Sequence, residues 1–113
     1  MDATRHIRSA AESDIPAFLP SPEPTYGVIE DGFWLDDTLP YHVIHRIASF
    51  PEARGIFSDL IAWSMERDRN LRIDTRRDNR IMQHCIRKAG FRYCGIIHLA
   101  NGDERLAYQM PVS

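Results

Sequence analysis

Five histidines, two cysteines and a run of arginines are the residues of this chain most able to do chemistry. Their spacing narrows what that chemistry is. His42 and His45 are three apart in an alternating stretch, which puts them on opposite faces of a strand and prevents chelation. His84 and His98 have no carboxylate or thiolate at a ligand spacing, so no metal site is expected. His45, like the other histidines, has an intrinsic pKa near neutrality and could accept a proton, the alternative being a histidine packed beneath a sheet. Arg67, Arg69, Arg72, Arg76, Arg77 and Arg80 interleave with Asp68, Asp74 and Asp78, which reads as a self-compensated, solvated face. Arg76, Arg77 and Arg80 flank a helix start, where they could meet a phosphate. Cys85 and Cys94 fall in a helix pattern and a strand pattern, so small buried thiols are expected rather than a disulfide. Trp34 and Trp63 read as core or interface anchors.

Composition limits the partners. At 113 residues, with 43% hydrophobic and 27% charged residues, the chain fits one soluble domain spanning 1–113. A formal charge of -2 supplies no basic field, which argues against nucleic acid and anionic membranes. No apolar run is long enough to span a bilayer, and the charged N-terminus lacks the apolar segment of a signal peptide, so a cytoplasmic protein is expected.

These residues need elements to position them. Residues 7–19 read as a strand followed by a helix start capped at Ser13 or Asp14, with Pro16 in the first turn. Pro20, Pro22 and Pro24 then make PSPEPTYG an extended linker or surface loop. Val28 to Leu35 contains a Glu30-Asp31-Gly32 turn and a short strand edge. From Tyr41 to Ser49 the chain alternates as a strand, and Pro51 to Gly55 breaks it. Ile56, Phe57, Leu60, Ile61 and Ser64 form one helical stripe. Leu71 to Thr75 is a strand. Asp78 or Asn79 opens a second helix whose apolar face is Ile81, Met82, Cys85, Ile86 and Ala89, and Gly90 stops it. Phe91–Leu99 and Glu104–Met110 are strands joined at Asn101-Gly102, a hairpin turn. The order β-α-β-α-β-β over 41–113 indicates an α/β (α+β) domain with a mixed sheet, preceded by an abbreviated part over 1–40.

The stretches YHVIHRIASFPEARG and LRIDTRRDNRIMQHCIRKAGFRYCGIIHLANGDERLAYQM resemble the acyl-CoA-binding half of a GNAT-superfamily N-acetyltransferase. The resemblance implies acetyl-CoA as co-substrate and a primary amine, of a small molecule or a peptide, as acceptor. It implies a pantetheine-pairing strand closing at Ile47, Ala48 and Ser49, with the backbone N–H near Ile47 polarising the thioester carbonyl. It assigns the pyrophosphate to Arg54, Gly55, Ile56, Phe57 and Ser58 at a helix N-terminus, and the pantetheine to Asn79, with the thioester between the strand ends at Ser49 and Thr75. The amine attacks the thioester directly, and His45 is the candidate base. Two positions depart from the family pattern. PEARGIFSDL lacks the later glycine of the phosphate loop, and Ile86 stands four residues before Gly90, where many members place a proton-donating tyrosine.

Between the N-terminal stretch and Tyr41 the family places helices and strands that build the acceptor side of the cleft. Only about 20 proline-rich residues stand here, so the chain reads as a truncated or internally deleted member. The alternative is a non-catalytic remnant that binds CoA weakly or not at all and persists as an oligomer. A homodimer is expected in either case, to cover sheet surface left exposed.

Overall fold

The computed structural model describes residues 17–45 and 54–112. One mixed sheet contains β1 (Ala17–Pro20), β2 (His42–His45), β3 (Leu71–Thr75), β4 (Arg92–His98) and β5 (Glu104–Gln109). Helix α1 (Arg54–Arg67) lies between β2 and β3 in sequence, and α2 (Arg80–Lys88) between β3 and β4. The strand order is β1-β2-β3-β5-β4. β2 and β3 pair in parallel with Ile44 opposite Ile73, whereas β1–β2, β3–β5 and β4–β5 are antiparallel. A parallel pair requires its connecting helix to run back along the sheet, so α1, like α2, begins at the carboxyl edge of these strands. Ligands of such sheets bind at that edge.

Both helices cover the same face. Phe57, Leu60 and Ile61 of α1 and Met82 and Ile86 of α2 pack on Ile44, Leu71, Ile73, Leu106 and Tyr108. Helix α2 is capped by Asn79 rather than Asp78, with the Asn79 Oδ1 accepting from Met82 N at 3.1 Å. Gly90 ends it at φ 110, a conformation that favours glycine. Ile81 does not join the apolar face as expected. It sits at the margin of the stripe in the first turn and is 60% exposed.

The other face is covered by chain without helix. Tyr26, Trp34 and Tyr41 pack over Val43, Cys94, Ile97 and Ala107. Cys94 and Ile97 share this face, although three apart, because a bulge between Tyr93 and Gly95 shifts the register of β4. Of the two readings of the proline-rich stretch, linker or surface loop, the second holds, as a strap over residues 21–41 packed on the sheet: Pro24–Tyr26 is a 3-10 turn, and Tyr26 is buried. Likewise Ala17–Leu19 form strand β1, where a helix was expected. Their pairing with Val43–His45 outweighs the capping pattern, whose cap residues lie outside the described residues.

Arg72 anchors the strap. Its guanidinium is fully buried, 4.0 Å from the Trp34 ring centroid and 3.7 Å from that of Tyr41. It donates to Asp36 O at 3.0 Å and Asp37 Oδ1 at 3.1 Å. A flat, weakly hydrated cation between aromatic faces tolerates burial that a lysine would not. Gln109 completes the tie, accepting from Leu35 N at 2.8 Å and donating to Asp36 O at 3.0 Å. Farther along, Glu30 pairs with Ile96 at the β4 edge, and Gly32 lies so close that a Cβ there would fall 1.8 Å from Cys94 O.

Candidate active site

Strand alternation places His45, Asp74 and Arg105 on the strap-covered face, near the carboxyl ends of β2 and β3. The strap brings Glu23 and Tyr26 down onto them. Tyr26 Oη donates to Asp74 Oδ1 at 2.5 Å. The His45 Nδ1 lies 3.6 Å from Asp74 Oδ1, and its Nε2 lies 3.7 Å from Glu23 Oε2. Arg105 Nε stands 4.0 Å from Asp74 Oδ2. Glu23 is held in turn, because its carboxylate caps the 3-10 turn by accepting from Thr25 N at 3.0 Å and from the Thr25 hydroxyl.

Burial dominates the electrostatics of this cluster. It pushes the Asp74 carboxyl above the usual range, against the opposing effects of the Tyr26 hydrogen bond and the charges of His45 and Arg105. Burial, then the neighbouring Asp74 charge, pushes the Tyr26 phenol well above its ordinary value, so Tyr26 remains a donor. His45 is flanked by one carboxylate at each ring nitrogen, both beyond direct hydrogen-bond range. Because those carboxylates address opposite nitrogens, they do not converge on one point. Among the described residues no group of His, Cys, Asp and Glu is arranged to hold a metal ion.

The helix-bearing face carries a second set at the same edge. Thr75 follows Leu71 and Ile73 in the alternation, is 3% exposed, and its Oγ1 has no hydrogen-bond partner. Asn79 spends Oδ1 on the α2 cap, which leaves its amide hydrogens for a ligand. The loop between them is fixed by Gln83, whose side-chain amide donates to Arg76 O at 3.1 Å and Arg77 O at 2.6 Å.

The expected residues fall into three groups. His45, Thr75 and Asn79 lie at one edge of the sheet, His45 on the strap-covered face and Thr75 on the helix-bearing face. Arg54 and Gly55 are the first residues of α1, Ile56 is half-buried, Phe57 packs in the core and Ser58 is exposed. Ile47, Ala48 and Ser49 lie outside the described residues. Ile86 is sealed in the core at 0% exposure, so nothing at that position reaches a ligand. Glu30, in the turn before Gly32, belongs to the β4 side, where its Oε2 lies 3.4 Å from His98 Nδ1. Sequence reasoning missed Glu23, Tyr26, Asp74 and Arg105. The polar alternation of LRIDT was the available signal for Asp74, but it reads equally as a solvent-facing side, and only the strap makes it an interior one.

A five-stranded mixed sheet, two helices on one face and a parallel β-α-β unit ending in this polar edge make up an α+β fold of the GNAT acetyltransferase type. The structure matches the crystal structure of a GNAT-family acetyltransferase from Streptococcus agalactiae 2603 with a TM-score of 0.71 and 30% sequence identity. The match covers 87% of this chain and 58% of that one, so the chain spans somewhat more than half the length of the acetyltransferase it resembles. No protein-family model matches the chain, and no curated protein matches it. No helix among the described residues is long and apolar enough to cross a membrane.

Proposed function

We propose that this chain is an acetyl-CoA-dependent N-acetyltransferase that transfers the acetyl group to a primary amine. The observation that carries the reading is the His45–Asp74–Tyr26–Glu23 cluster at the carboxyl edge of the parallel pair in a GNAT-type fold. A carboxyl whose titration burial pushes up, placed beside a histidine, costs stability, and such costs collect at functional sites. The co-substrate supplies an activated acetyl thioester. The unpartnered Thr75 hydroxyl, the spare Asn79 amide and the free N–H groups opening α2 fit the polar arm of such a molecule. The chain's own residues handle the proton. Asp74, held by Tyr26, orients the Nδ1 side of His45, and Nε2 faces the amine beside Glu23 and takes its proton as it attacks.

The test is the rate of amine-dependent CoA thiol release against pH for the wild type and His45→Gln. The account predicts a loss of about 10²-fold or more in kcat and a flattened pH profile for the variant. Equal rates and equal profiles would remove His45 from the mechanism. A second reading, a non-catalytic remnant that binds CoA and associates with its own copies, is favoured by Ile86, which seals the place of a proton donor. It predicts acetyl-CoA binding without thiol release by a homodimer.

A further inference from the structure

Between the β3–α2 loop and the β4–β5 turn lies an open groove of about 630 Å³, with Arg76, Arg77 and Arg80 on one side and Arg105 on the other. We propose that this groove takes the anionic group of the acceptor, which makes the acceptor an amine that also carries a carboxylate or a phosphate. The proposal rests on the acetyl-transfer reading above and adds a substrate class to it.

Four arginines converge on the groove, and three carboxylates accompany them. Asp78 is spent on Arg76 at 3.2 Å, Glu104 on Arg77 at 3.5 Å, and Asp103 accepts from the Asn101 amide at 3.1 Å. No carboxylate among the described residues pairs with Arg80, and Arg105 sees Asp74 only at 4.0 Å, beyond hydrogen-bond range. Arg105 donates to the Glu104 carbonyl at 3.0 Å, which leaves Arg80 and the remaining donors of Arg105 for a ligand. The loop that presents Arg76 and Arg77 is tied to α2 by the Gln83 bonds to their carbonyls, and Arg80 is the first residue of that helix. Planar guanidinium groups on a fixed loop suit bidentate recognition of carboxylate or phosphate.

Arg105 gives the groove its relation to the chemistry. It spans from the groove to Asp74, and Asp74 is the neighbour of His45. A small molecule lying along this line meets Glu23 and Asp74 with its ammonium end and the arginines with its anionic end. The charges of protein and ligand then alternate in register. A phosphate of the co-substrate is the other source of the same chemistry. It is disfavoured because Arg105, like His45, lies on the strap-covered face by strand alternation, whereas Thr75 lies on the helix-bearing face.

The experiment compares a set of amino acids with their carboxamides, which keep the amine and lose the anion, as acceptors for the intact chain. The expected result is a KM at least tenfold lower for the acids, with Arg80→Gln or Arg77→Gln raising that KM about tenfold. The same variants leave the KM for the amides and for acetyl-CoA unchanged. Both arginines are exposed, so neither change disturbs the core. Equal KM values for acids and amides in the wild type overturn the proposal, as does a variant effect confined to acetyl-CoA and absent with its 3′-dephospho form. If no amine is acetylated, the transfer reading fails, and titration of the same amino acids into the chain, followed by NMR, decides the groove alone. Binding that Arg80→Gln weakens supports the assignment, and no binding overturns it.

Discussion

Asn79 has two jobs in this account, and a pair of substitutions separates them. Its Oδ1 caps α2 through one 3.1 Å bond to Met82 N, which leaves its amide hydrogens for a ligand. Asn79→Ala removes both functions. The loss of one half-buried cap on a nine-residue helix costs about 1 kcal/mol, or about 4–6 °C in Tm for a domain of this size. Asn79→Ser keeps a capping oxygen and removes the amide donor, so its stability stays within about 0.5 kcal/mol of the wild type. If the amide binds the pantetheine arm, each variant gives up one hydrogen bond to acetyl-CoA, about 1–1.5 kcal/mol. That is a rise of about 5- to 13-fold in Kd. Thermal melts and calorimetric titration of acetyl-CoA read the two effects independently. The reasoning is refuted if Asn79→Ser binds acetyl-CoA as tightly as the wild type, because Asn79 is then a cap and nothing more.

Further consequences concern the interior. Asp74 has a raised pKa in the fold, so its contribution favours the folded state below the unfolded carboxyl value and is lost as pH rises through the folded one. Asp74→Asn should accordingly melt higher than the wild type at neutral pH, with the gap closing on acidification, while acetyl transfer falls. A variant less stable at neutral pH contradicts the assignment of burial as the dominant effect. Ile86→Tyr, which restores the residue type many GNAT members carry, overpacks a site with 0% exposure and should cost about 1–3 kcal/mol in denaturant melts without any gain in thiol release. Gly32→Ala places a Cβ 1.8 Å from Cys94 O and about 2.9 Å from its carbonyl carbon, so the strap must lift from β4. A loss of about 3 kcal/mol or more is expected by chemical denaturation, and a neutral result would mean the strap is not seated there.

Much of the fold was legible because the C-terminal elements obey local rules. The stripe Phe57, Leu60, Ile61, Ser64 is buried as its 3.6-residue spacing requires, and Leu71–Thr75 is a strand with the expected bounds. The Asn79 cap, the Gly90 stop and the β4–β5 hairpin each rest on a residue whose conformation or side chain fixes the backbone. The strap was not legible for the opposite reason. Its order comes from distant partners: Arg72 between Trp34 and Tyr41, Gln109 on Leu35 and Asp36, and Gly32 against Cys94. Prolines forbid helix and sheet interiors but do not forbid packing, so composition suggested a linker or a surface loop where contacts make a cover. The same cause hid half of the candidate site. His45, Thr75 and Asn79 were named because the family resemblance gives roles to their places in the chain. Glu23 and Tyr26 reach the site only because the strap folds back onto β2 and β3, and Arg105 only through the β3–β5 register. Ile81 was misplaced by a stripe drawn one position too wide on a short helix.

The most direct test of acetyl transfer is to incubate the intact chain with acetyl-CoA and a panel of primary amines, and to follow N-acetylated product by mass spectrometry. The account predicts product that depends on both the chain and the amine, and that is lost in His45→Gln. A folded chain that binds acetyl-CoA yet yields no acetylated amine from any member of the panel would contradict it.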